Sequence, residues 1–166
     1  MNRNDNLSTI IQKIQSKIAK SVVAIDGGYI PKDKRLEQKI SFFKNEELLD
    51  KYNNHYQWVD EVFKSNEYYK VFVMNDNKIV AGAIISLGSN KICCVLVDDD
   101  YSGNGVAKLL IQMSEHLIGT KPIYTTTDST SILKKYLLEN GYEITGLYGK
   151  NNEDSDYKVE IHYHKK

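Results

Sequence analysis

Apolar residues near the start of the chain recur at helical spacing. Leu7, Ile10, Ile11, Ile14 and Ile18, with glutamine and lysine between them, predict a helix over residues 7–19, capped by Asn6 or Ser8. The stretch SVVAIDGGYI, residues 21–30, reads as extended around a Gly27-Gly28 turn, and the charged Pro31–Glu37 stretch reads as a loop. From Gln38 the pattern is more regular. KISFF, residues 39–43, predicts a strand, and residues 45–64 predict a helix with Leu48, Leu49, Tyr52, Trp58, Val59 and Val62 on its apolar side. YKVFVM and KIVAGAIISL, residues 69–74 and 78–87, form a predicted hairpin about Asn75-Asp76-Asn77, and KICCVLV, residues 91–97, is a further buried strand.

Val106, Leu109, Leu110, Met113 and Leu117 then fall at steps of three and four, a helix with one apolar face. Residues 121–126 predict a short strand, and residues 129–139 a helix stopped by Asn140-Gly141. Residues 142–148 and 157–164 predict two last strands around a polar loop. Hairpins mixed with crossover helices imply a mixed α/β fold, with a central sheet of about six to seven strands flanked by helices. Residues 1–37, a helix and a Gly-Gly turn, form an amino-terminal extension to a domain spanning 38–166.

Composition narrows the field. The 166 residues fit one core, and 22 basic against 22 acidic residues leave no net charge to point to nucleic acid. No run has the length of a membrane span and no signal core follows Met1–Ser8, so the expected setting is cytoplasmic. The two cysteines, Cys93 and Cys94, are adjacent. Strand neighbours point to opposite faces, so they read as small apolar residues rather than a metal pair or a disulfide. No metal site is expected.

Chemistry concentrates in VLVDDDYSGNGVAKLL, residues 95–110, a strand, a turn with Gly103 and Gly105, then a helix. Such a unit exposes backbone N–H groups at a helix amino terminus, where the dipole favours an anion. Glycine keeps Cβ atoms away from a phosphate and tolerates positive φ. Ser102 and Asn104 offer side-chain hydrogen bonds. A tight turn before a helix explains the same residues. No Gly-Lys-Ser/Thr follows, so this is not a Walker loop, and Lys108 stands where a dinucleotide fingerprint needs its third glycine.

The same stretch resembles the coenzyme A-binding motif of the GNAT superfamily of N-acyltransferases, with Ser102, Gly103, Asn104, Gly105, Val106 and Ala107 across its Arg/Gln-x-x-Gly-x-Gly/Ala positions. SILKKYLLENGYEITG, residues 131–146, resembles the family's second motif, with Gly141-Tyr142 at its close. The hairpin YKVFVMNDNKIVAGAIIS resembles the family's second and third strands, and the likeness runs from Gln38 to Lys165. Ser102 replaces the usual Arg or Gln, and Leu137 replaces a tyrosine that commonly protonates the leaving thiolate. Tyr136 is adjacent but about 100° away around the helix, and is expected in the core.

The resemblance implies a GNAT-like sheet and direct acetyl transfer from acetyl-CoA, the co-substrate, to an amine. It implies cofactor contacts at Leu96, Val97, Ser102, Gly103, Asn104, Gly105, Val106, Ala107 and Ser131, and an oxyanion donor in the Val97 N–H. Asp98 is the first candidate base. Asp99, Asp100, His162, His164 or a held water are the others, with helix capping the competing role for the aspartates. His162 and His164 share one face of a strand expected at a solvent-facing edge. His55, Tyr56, Trp58, Tyr68 and Tyr69, among 12 tyrosines in all, are candidates for one wall of an acceptor pocket. The acceptor is a small molecule or a protein, and a homodimer stays open. A coenzyme A-binding protein with little activity, or a modifier of a protein lysine or nucleic-acid base, is the alternative.

Overall fold

The computed structural model describes residues 6–27, 36–44, 55–128, 133–151 and 157–166. The elements run α1 Leu7–Lys17, β1 Ser21–Gly27, α2 Leu36–Phe43, α3 His55–Lys64, β2 Tyr68–Asn75, β3 Lys78–Ser86 and β4 Lys91–Val97. A single 3₁₀ turn, Asp99–Tyr101, leads to α4 Val106–Ile118, β5 Ile123–Asp128, α5 Leu133–Glu139, β6 Tyr142–Asn151 and β7 Tyr157–Lys165. All seven strands form one mixed sheet, ordered β1-β2-β3-β4-β5-β7-β6. Only β4 and β5 run parallel; the other neighbours are antiparallel.

Local chemistry explains the elements. Asn6 caps α1 by accepting the Thr9 N–H at 2.8 Å. The β2–β3 hairpin turns on Asp76 and Asn77, both at positive φ (47° and 67°), the conformation a two-residue hairpin turn of matching twist requires. Gly119, at φ 73°, closes α4 by donating its N–H to the Glu115 carbonyl.

Two apolar clusters cover the two sheet faces. The first joins Ile10, Ile14 and Ile18 of α1 to Leu109, Leu110 and Met113 of α4 and to Leu137 of α5. The second is built on phenylalanine: Phe43 of α2, Phe63 of α3 and Phe72 of β2, with Val59, Val62, Ile79 and Ile84. Gly82 of β3 makes the second cluster fit. A Cβ there would stand 2.8 Å from the Phe43 ring and 2.9 Å from the Val71 carbonyl oxygen. Under the same helices lies a short ion pair, Lys39 Nζ to Asp26 at 2.6 Å, with Lys39 also over the Phe72 ring. None of the described helices is long and apolar enough to cross a membrane.

Three expectations change. Residues 39–43 are helical, not a strand. Leu36, Ile40 and Phe43 are spaced four and three apart, and placing Leu36 in the preceding loop hid that stripe. Cys93 and Cys94 pack toward the same face, against the second cluster, while Ile92 and Val95 serve the first. The register explains it: Ile84 pairs Cys94 but Ile85 pairs Ile92, so Cys93 is the extra residue of a β-bulge. Strand β7, which carries His162 and His164, is not an edge; it lies between β5 and β6, and β6 is the edge. The turn at Gly28, the first part of the predicted 45–64 helix and residues 129–132 lie outside the described residues.

Candidate cofactor site between the fourth and fifth strands

The parallel pair β4–β5 matches only at Lys91 with Tyr124 and Ile92 with Thr125. The bulge at Cys93 follows directly, and beyond it the two strands no longer pair. The Asp98 N–H donates to the Val80 carbonyl of β3 at 2.8 Å. Strand alternation therefore turns the Leu96 amide toward β3 and those of Val95 and Val97 away from it, into the gap left by β5. Leu96 adds its side chain to the second cluster, and Val97 packs on the first.

Strand β4 leads into a tightly built corner. Asp98 accepts the Asp100 N–H at 3.1 Å and pairs with Lys78 at 3.4 Å, so its carboxylate caps the 3₁₀ turn. Asp99 and Asp100 are exposed. Ser102 donates its hydroxyl to the Asp99 carbonyl at 2.9 Å. Gly103 and Gly105 follow at φ 81° and 90°. Glycine is needed at both for that conformation, which makes successive N–H groups converge into an anion-binding concavity. Gly105 is the N-cap of α4 and has no side chain to cap it. Its carbonyl accepts the Leu109 N–H at 3.2 Å, which leaves Val106, Ala107 and Lys108 as first-turn N–H groups without an intrahelical acceptor. Asn104 Oδ1 is buried and accepts no hydrogen bond among the described residues. Unspent N–H donors and no Cβ at the two glycines are what a pyrophosphate site requires, whereas the Asn104 carboxamide oxygen is an acceptor and gains no hydrogen bond from a phosphate.

Of the positions predicted for this site, Leu96, Val97, Asp98 and the run Ser102–Ala107 come together along one strand end and one helix start. Ser131 lies outside the described residues. Leu137 is fully buried. Tyr136 is a core residue, 6 % exposed, whose hydroxyl takes a hydrogen bond from Gln112 at 3.4 Å. Burial pushes its phenol up to about 12, with the Gln112 hydrogen bond opposing and Glu115 adding to the rise. The predicted aromatic wall divides: Tyr68 packs on the second cluster, Tyr69 on the first. The side chains of His55, Tyr56 and Trp58 lie outside the described ones. His162 and His164 lie on the face opposite Ile161 and Tyr163, and His164 stacks on Tyr124 with ring centroids 6.3 Å apart. On that face Tyr68, Cys93, Cys94 and Leu96 are half-buried. Burial pushes the Cys93 thiol up and is the main cause raising the Tyr68 phenol, so both are neutral near pH 7.

One residue of this corner had no local signal in the sequence. The Lys17 side chain, from the last turn of α1, reaches across to Gly105; its Cε and Nζ each lie 3.5 Å from the place a Cβ would occupy there.

A family model for the acetyltransferase (GNAT) domain matches residues 32–153. The chain belongs to the GNAT acetyltransferase family. This GNAT chain shares its fold with an acyl-CoA N-acyltransferase from Pseudomonas aeruginosa, at TM-score 0.66 and 15% identity over 89% of this chain and all (100%) of that one. An aminoglycoside 6'-N-acetyltransferase complexed with coenzyme A superposes at TM-score 0.62 and 16% identity, covering 87% and 96% of the two chains. The ribosomal-protein-S18-alanine N-acetyltransferase of Escherichia coli gives 0.62 and 13%, covering 87% and 93%. At these identities the likeness is one of fold. No curated protein sequence matches this GNAT chain.

Proposed function

We propose that the protein is an N-acetyltransferase that moves the acetyl group of acetyl-CoA to an amine by direct attack. One observation carries this reading: the stretch of β4 that β5 does not pair among the described residues and the uncapped start of α4 belong to one continuous segment, Val95–Lys108. A thioester lying in the gap would have its phosphates at the helix end. Residues Leu96, Val97, Ser102–Ala107 and Ser131 are the proposed cofactor contacts. Most of the machinery lies in residues 38–166, with α1 and β1 from the amino-terminal part built into its core and sheet.

In this mechanism the neutral amine attacks the thioester carbonyl carbon. The Val97 N–H steadies the negative charge that develops on the carbonyl oxygen. The tetrahedral intermediate then expels the coenzyme A thiolate, and the amine nitrogen loses its proton to water or to a carboxylate. Asp98 is the nearest carboxylate in sequence to the gap. Its cap and its pair with Lys78 suit it better to holding a water than to moving itself. Positioning supplies much of the rate in such a transfer. The neutral, half-buried Cys93 thiol is a poor nucleophile, which favours direct attack over an acyl-enzyme. We place the protein in the cytoplasm, where both thiols stay reduced.

The test is thiol release from acetyl-CoA over a panel of small amines and peptides. Turnover with at least one amine is the expected result. Tight coenzyme A binding with no turnover across the panel would make the protein a coenzyme A-binding member of the fold instead. Mass spectrometry of copurified acyl-CoA fixes the donor.

A further inference from the structure

We infer that Lys17, carried by the amino-terminal helix, is a phosphate-binding residue of the coenzyme A site. This rests on the acyl-CoA reading above. Helix α1 lies against α4 through Ile10, Ile14 and Ile18, which share a core with Leu109, Leu110 and Met113. That packing fixes where α1 ends. Lys17 occupies its last turn, and Ile18 closes the helix by donating its N–H to the Ile14 carbonyl. From there the Lys17 side chain runs to Gly105, with Nζ and Cε both 3.5 Å from the glycine's missing Cβ.

Two helix ends meet at this placement. The end of α1 carries the negative pole of its dipole and suits a lysine. The start of α4 carries a positive pole, so the same ammonium head stands beside a second positive end. Among the described residues no ion pair or hydrogen bond holds Lys17, and the side chain is exposed. Of the three aspartates before the turn, Asp98 is engaged by Lys78, and Asp99 and Asp100 are exposed with no ion pair to Lys17 among the described residues. An ammonium, converging backbone N–H groups and a helix amino terminus at one spot describe a site completed by an anion. A pyrophosphate fits that description, because it meets the lysine and the Gly103–Gly105 concavity together.

The inference also gives Ser102 a rationale. Ser102 is short and turns its hydroxyl back onto Asp99, so the turn itself offers no long cationic arm. Lys17 supplies one from another element. The amino-terminal helix then belongs to the cofactor site as well as to the core.

The experiment measures affinity for coenzyme A by calorimetry in the wild type, Lys17→Ala, Lys17→Glu, Lys17→Arg and a control, Lys64→Ala. Lys64 is exposed on α3 and outside the site. Lys17→Ala is expected to weaken coenzyme A roughly fivefold at low salt, Lys17→Glu more, and Lys17→Arg little. Turnover of acetyl-pantetheine, a thioester without phosphates, is expected to stay at the wild-type rate in all three. Unchanged affinity in Lys17→Ala beside a wild type that binds coenzyme A overturns the inference alone. So does an equal loss for coenzyme A and acetyl-pantetheine, which would make Lys17 a structural residue. A wild type that ignores coenzyme A overturns the acyl-CoA reading itself.

Discussion

The two faces of the sheet are built differently. The face under α1, α4 and α5 is mainly aliphatic and closed; Ile10, Ile14, Leu110 and Met113 are fully buried, with Tyr136, Tyr142 and Tyr163 packed among them. The face under α2 and α3 is phenylalanine-rich and grades into half-buried Tyr68, Cys93, Cys94 and Leu96 beside the gap. The proposed phosphate corner needs fixed donors, and the closed face anchors α4 so that its start is held in place. The acceptor of the proposed transfer needs an accessible surface, and among the described residues the second face is the less closed one. Rigidity and access are thus assigned to opposite sides of the same seven strands.

Four measurements break or sharpen this contrast. The largest effect is expected from Gly105→Glu, which puts a carboxylate against Lys17 and the α4 amides in a backbone conformation that favours glycine. Coenzyme A binding should vanish in calorimetry while circular dichroism stays native. Retained affinity would remove the corner from the site. Next comes Leu110→Ala on the closed face, which should cost about 2–5 kcal/mol in denaturant unfolding, because the fully buried side chain leaves a cavity. A loss under 1 kcal/mol would mean that the aliphatic face is loosely packed. Gly82→Ala tests the other face. Its Cβ would press on Phe43 and the Val71 carbonyl, at a cost of about 1–3 kcal/mol, with coenzyme A affinity little changed.

The smallest effect is alkaline. On the closed face Tyr136 ionises at about 12 when folded and near 10 when unfolded. The folded state then holds a proton that the unfolded state has released, so stability is full below pH 10 and falls between pH 10 and 12. Burial raises Tyr142 as well, with the same sign. On the second face, burial lowers Lys70, against an opposing pull from Asp26, so its contribution rises as pH climbs toward 10.5. Tyr136→Phe should flatten the alkaline decline in unfolding midpoints recorded from pH 9 to 12. An unchanged slope would deny that Tyr136 titrates.

Much of this was readable from residue order because the signals are local. Alternation and three-four spacing mark β2, β3, β4 and α4 nearly to their ends, and the strand–glycine–helix segment exposes its own chemistry. The failures share a cause in contacts that spacing does not encode. A one-residue bulge put both cysteines on one face. The placing of β7 between β5 and β6 is decided by assembly of the sheet, so it gave His162 and His164 a neighbour on each side. Lys17 is an ordinary exposed lysine in sequence, and only the docking of α1 on α4 brings it to Gly105.

The parting of β4 from β5 bears on how the molecule responds to occupancy. Two residue pairs join those strands, so β1–β4 and β5–β7 are stitched across the sheet at one end only. A ligand lodged there would act as a splint between the two blocks. Amide hydrogens on β5 should therefore exchange faster than those on β3 in the empty protein, and slow most when the seam is filled.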